Sequence, residues 1–171
     1  MAKSSREDPR VELGQVRVNR DDAAVIQAAT IKLTRRLDEE PADSDNRYRP
    51  RRLGVLLSPG MFVGWALRYA TVRARQGHGG WPGRILQPPE RKKILTARTV
   101  KLCACRVPEG EARAFRKACL DFVETLCDPA EPINQSKFLT LAVVGFAECA
   151  LSTAALHDLP LPPWSGQLRL R

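Results

Sequence analysis

A degenerate internal repeat constrains this chain more than any other feature. Leu13–Leu37 reads LGQVRVNRDDAAVIQAATIKLTRRL, and Leu102–Leu126 reads LCACRVPEGEARAFRKACLDFVETL. A constant offset of 89 residues sets Leu13 against Leu102, Arg17 against Arg106, Val18 against Val107, Ala23 against Ala112, Ile26 against Phe115, Ala29 against Ala118, Leu33 against Phe122 and Leu37 against Leu126. Few of these are identities, but most keep apolar character in place. Each half therefore carries the same small unit of strand, turn and amphipathic helix, and the fold must use that unit twice.

The local signals fit such a unit. Residues 12–18 alternate as a strand does, with Gln15 and Arg17 on one side and Val16 and Val18 on the other. Asn19 then caps a helix whose first turn holds Asp21 and Asp22, where the helix dipole favours acid. Ala23, Ile26, Ala29, Thr30 and Leu33 carry its apolar face to about Leu37. Residues 38–57 run from acidic to strongly basic and are broken by prolines, which predicts an enlarged loop. Ser58-Pro59-Gly60 opens a second helix, with Met61, Trp65, Ala66, Tyr69 and Ala70 on one face to about Arg75. Gly- and Pro-rich residues 76–97 read as a connector. Residues 98–107 (RTVKLCACRV) are the second strand candidate, and a helix follows from Glu109 to about Cys127. A last helix over 135–155, capped by Asn134 or Ser136, carries Phe138, Ala142, Val143, Phe146 and Ala147. These match Met61, Trp65, Ala66, Tyr69 and Ala70 at an offset of 77, because the first inter-helix loop is 12 residues longer. Residues 1–11 read as a flexible arm and 156–171 as a tail pinned by Trp164.

Charge narrows the partner. The chain carries 28 Lys and Arg against 19 Asp and Glu, a net +9, which favours a polyanion. Arginine outnumbers lysine, which suits bidentate contacts to phosphates or bases, although an arginine-rich coding bias gives the same excess. No apolar leader follows MAKSSREDPR, and every apolar run falls far short of the roughly 20 residues of a membrane span, so a soluble, cytoplasmic protein without a membrane partner is expected. Five cysteines, an odd number, suggest no disulfide framework.

Catalytic chemistry is poorly provided for. The two histidines, His78 and His157, stand in connector and tail, and no Ser, His and Asp arrangement emerges. QGHGGWPGR lacks the lysine and following helix of a phosphate loop. Cys103 and Cys105 have no second pair at metal-ligand spacing; in a strand they point together toward the helices as small hydrophobes. The expectation is a non-enzymatic protein with no catalytic residue, metal or cofactor.

Two lone strands become stable by pairing antiparallel, with four helices behind them and one face outward. Such a two-stranded ribbon fits the DNA major groove. VKLCACRVPEGEARAF and NQSKFLTLAVVGFAECA resemble the ribbon-helix-helix DNA-binding family, in the alternating strand ending at Arg106-Val107-Pro108, the acidic turn with Glu109 and Glu111, and the capped second helix. Residues 12–75 resemble it more loosely, with Asn19 in place of the proline and the longer loop. The resemblance implies a mostly helical α+β fold: units at 12–75 and 98–155 folded as an intramolecular pseudo-dimer. It points to the tandem subset that includes accessory proteins of plasmid conjugation and DNA transfer. Its partners would be double-stranded DNA and a relaxase or other DNA-processing protein, the chain acting as a monomeric pseudo-dimer or a weak higher oligomer on an asymmetric site.

By position, the resemblance makes Leu13, Gln15 and Arg17, with Leu102, Ala104 and Arg106, the outward, base-reading residues. Arg17 and Arg106 suit guanine, Gln15 suits adenine, and Leu102 and Ala104 offer only apolar contact to a thymine methyl. The second-helix starts, Ser58 and Gly60, and Asn134, Gln135, Ser136 and Lys137, would bind phosphate through free backbone N–H groups. Arg47, Arg49, Arg51 and Arg52, and Arg91, Lys92 and Lys93, are auxiliary basic candidates. Two alternatives stay open: a transcriptional repressor or plasmid-partition factor of the same fold, and a basic, non-enzymatic helical subunit of a nucleoprotein or protein-interaction complex.

Overall fold

The computed structural model describes residues 9–39 and 56–152. Strand β1 (Arg10–Val18) runs into helix α1 (Arg20–Glu39), and α2 spans Pro59–Arg75. A 3-10 turn (Gly77–Gly80) and two short helices, α3 (Gly83–Leu86) and α4 (Pro88–Leu95), lead to strand β2 (Val100–Pro108), α5 (Glu109–Leu126) and α6 (Gln135–Ser152). The fold is mostly helical, and the described residues form one sheet, the antiparallel pair β1–β2.

The helices start where side chains satisfy their first N–H groups. Asn19 Oδ1 accepts from Asp22 N at 2.7 Å at the head of α1, and Ser58 Oγ accepts from Met61 N at 3.2 Å at α2. Of the two candidates at α6, Asn134 is the cap: its Oδ1 accepts from Lys137 N at 2.9 Å. Strand β1 begins at Arg10, inside the expected arm, and α1 runs two residues past the expected start of the loop.

The strand register carries the sequence repeat in three dimensions. Gln15 pairs with Ala104, its own counterpart at an offset of 89. Outward from that pair, Gly14–Cys105 mirrors Val16–Cys103, Glu12–Arg106 mirrors Arg17–Lys101, and Val11–Val107 mirrors Val18–Val100. The two register shifts leave Leu13 and Leu102 unpaired, again at equivalent positions. Each is an extra residue that bends the ribbon. Gly14, with φ +116°, supplies backbone that other residues adopt poorly beside the first bulge.

Helices are exchanged between the halves: α1 packs on α6, α2 packs on α5, and α2 and α6 pack on each other, whereas α5 and α6 touch little. Likewise α6 lies behind β1 and α2 behind β2. Neither half thus buries its apolar stripe on its own helices. Val16, Val18, Cys105 and Val107 point into this core, each buried. Thr140 Oγ1, buried on α6, donates to the Arg17 carbonyl at 3.0 Å and ties the ribbon to the helix behind it.

The 76–97 segment is more than a connector. Trp81, Ile85 and Ile94 are buried, and the Trp81 ring sits edge-on to Tyr69, Phe122 and Phe138 at 5.7, 5.1 and 5.9 Å between centroids. Prolines 88 and 89 occupy the first turn of α4, where a missing N–H costs nothing. The segment wedges an indole between the halves and completes the core.

Candidate nucleic-acid interface

The face of the ribbon turned away from the helices presents Glu12, Gln15 and Arg17 from β1 and Lys101, Ala104 and Arg106 from β2, all exposed. Four of the six expected readers, Gln15, Arg17, Ala104 and Arg106, lie on this face. Leu13 does not: it is 4% exposed at its bulge and belongs to the core. Leu102, at the matching bulge, is half-buried against the core. A bulge shifts the side-chain alternation by one residue, so Glu12 and Lys101 take the outward places expected for Leu13 and Leu102. The sequence held a signal for this. Polar residues change parity along each strand, from Glu12 to Gln15 and Arg17 and from Lys101 to Arg106, and Gly14 interrupts the first.

The electrostatics of the face are uneven. Arg106 Nη2 lies 3.2 Å from Glu12 Oε2 across the strands. At the mirrored place Arg17 stands opposite Lys101, and neither side chain has a hydrogen-bond or ion-pair partner among the described residues. Two like charges directly opposite on a ribbon destabilise it, by about 0.2–1 kcal/mol.

Beside this face lies the start of α6. Gln135 Nε2 donates to the Leu13 carbonyl at 3.1 Å, and Gln135 Oε1 accepts from Arg116 Nε at 3.2 Å. Ser136 is exposed, and Lys137 Nζ donates to the Pro132 carbonyl at 2.8 Å. Gln135 therefore fixes the α6 end against the bulge of β1 and holds a guanidinium next to it. At α2, Pro59 and Gly60 are exposed and Ser58 is half-buried by its capping role.

Arg91 is not available to a ligand. Its side chain has no exposed surface and is paired with Glu131 at 2.8 Å through Nε and 2.6 Å through Nη2. Nη1 donates to the carbonyls of Ile85 and Leu86 and Nη2 to that of Leu126, closing the C-terminal ends of α3 and α5. A cation is favoured there by the helix dipoles. Sequence position alone could not reveal this, because the partner carboxylate lies 40 residues away. Lys92 and Lys93 are exposed, and Lys93 pairs with Glu90 at 2.8 Å. Arg47, Arg49, Arg51, Arg52, His157 and Trp164 lie outside the described residues.

Thiol chemistry is suppressed at the ribbon. Burial pushes the Cys105 thiol up to about 12, with Cys103 and Glu111 adding to the shift, and burial raises Cys103 too. Among the described residues no group of His, Cys, Asp and Glu is placed to hold a metal ion, and no helix is long and apolar enough to cross a membrane.

Comparison with protein-family models, with curated proteins and with solved structures returns no match.

Proposed function

We propose that this chain is a sequence-specific double-stranded DNA-binding protein, built as two ribbon-helix-helix units in one chain, which lays its ribbon in the major groove. The observation that carries this reading is the outer face itself: Gln15, Arg17, Lys101 and Arg106 stand exposed on a two-stranded ribbon. Arginine and lysine match guanine O6 and N7 there, and glutamine matches adenine. The exchanged helices and the mirrored register support the pseudo-dimer, in which one chain supplies what two usually do. Phosphate contacts fall to the α6 start with Arg116 beside it, and to the α2 start.

The test is the effect of Arg17→Ala and Arg106→Ala on binding to a selected duplex and to unrelated duplexes. Greater loss on the selected duplex supports base reading; equal loss on all sequences assigns both arginines to phosphate. Within DNA binding, an accessory role in plasmid conjugation or DNA transfer follows from the tandem resemblance. Footprinting on the native replicon separates it from its rivals: protection beside a transfer origin supports it, whereas protection at a promoter or a centromere-like repeat replaces it with repression or partition.

A further inference from the structure

The mirrored register gives the two arginines of the outer face equivalent places but different neighbours. Arg106 faces Glu12 at 3.2 Å, and Arg17 faces Lys101. Glu12 and Lys101 themselves occupy equivalent positions, so at one place in the repeat the chain carries opposite charges.

Building on the duplex-binding reading, we infer that the two ends of the ribbon read different base-pair edges: the Glu12–Arg106 end a single G·C pair, and the Arg17–Lys101 end a step of two guanines. In the major groove a G·C pair shows two adjacent acceptors, guanine N7 and O6, followed by one donor, the cytosine N4 amino group. A guanidinium beside a carboxylate is the complementary array: Arg106 donates to the guanine, and Glu12 accepts from the cytosine. An A·T pair places its donor between two acceptors and gives the guanidinium no adjacent pair to grip. Arg17 and Lys101 offer donors alone. They match the four acceptors of two successive guanines and leave a cytosine amino group without an acceptor.

The polar groups are free to make this exchange. The Glu12 and Arg106 side chains are 48% and 66% exposed, so their mutual contact is held in water and yields readily to base edges. A carboxylate on a DNA-facing surface weakens attraction to phosphate, so its contribution is to the choice of sequence and not to overall affinity. Gln15 stands at the centre of the ladder opposite Ala104, so the central position is read from one strand only.

The experiment is selection from a library of random-sequence duplexes by the full chain and by Glu12→Gln and Glu12→Lys, with thermal melting to verify folding. Wild type should enrich an asymmetric site with a guanine step at one end and a single G·C pair at the other. Glu12→Gln should relax the cytosine preference by about tenfold or more while keeping the guanine step. Glu12→Lys gives the two ends the same arginine–lysine pair and should convert the site to an inverted repeat of the guanine step. If both variants enrich the wild-type site unchanged, the inference fails and the duplex-binding reading stands. If wild type enriches no sequence, sequence-specific duplex reading fails, and the inference with it.

Discussion

Replacing Arg91 separates a structural arginine from a DNA-binding one. Arg91→Met keeps the aliphatic length and removes five donated hydrogen bonds, two of them to the Glu131 carboxylate. Removing one partner of a buried ion pair costs about 3–5 kcal/mol. Glu131 keeps 18% exposure and can rehydrate in part, which places the loss near the lower end, about 3 kcal/mol. Against a total stability of about 5–15 kcal/mol this is a large fraction. For a chain of this size it lowers the melting temperature by about 6–12 °C. The double variant Arg91→Met/Glu131→Leu removes the stranded charge and should recover part of the loss, because the Ile85, Leu86 and Leu126 carbonyls still lack their donor. Calorimetry on the three variants measures this, and anisotropy with a labelled duplex, below the lowered melting point, should show affinity within about twofold of wild type. A melting shift under about 2 °C together with clearly weakened duplex binding would show that Arg91 serves the ligand and not the core.

Three further outcomes follow from the ribbon. Gly14→Ala forces a side chain onto backbone at φ +116° and should cost about 1–3 kcal/mol, read as a lower denaturant midpoint; an unchanged midpoint would mean that the bulge is not needed. Cys105 and Cys127 are held as thiols by burial, which pushes them above the ordinary thiol range, to about 12 and about 11. Because the unfolded thiol ionises first, their contribution to stability is complete below about pH 9 and is lost as pH rises toward 11–12. Cys105→Ala should therefore lose stability less steeply than wild type over that range, and parallel curves would contradict the assignment. Lys101→Ala removes the like charge opposite Arg17 and should stabilise the free protein by about 0.2–1 kcal/mol while weakening duplex binding. Loss of stability instead would show that Lys101 has a structural partner.

How far the sequence could be read depended on whether a signal was local. The apolar spacing shared by Ile26 and Phe115, Ala29 and Ala118, and Leu33 and Phe122 marks one helix twice, and those residues line the buried sides of α1 and α5. The alternation of Gln15, Val16, Arg17 and Val18 likewise survives. A uniform period of two cannot express a bulge, so it turns Leu13 and Leu102 outward where the ribbon presents Glu12 and Lys101. The Gly and Pro punctuation of 76–97 concealed Trp81, Ile85 and Ile94, whose burial depends on a cleft made by α2, α5 and α6. Arg91 is hidden for a related reason: a charge looks exposed until its distant carboxylate is in place.

The most direct test of the ribbon as a DNA reader is the duplex-binding isotherm of wild type and the Arg17→Ala/Lys101→Ala/Arg106→Ala triple variant, on a selected and a scrambled duplex over a range of salt. Wild-type affinity should fall linearly in log–log form, by about 0.9 per phosphate neutralised. The triple variant should melt no lower than wild type and should lose most of the preference for the selected duplex, keeping only what Gln15 and Glu12 supply. A triple variant that keeps the wild-type preference, or a wild type with flat salt dependence, would contradict a DNA-reading ribbon.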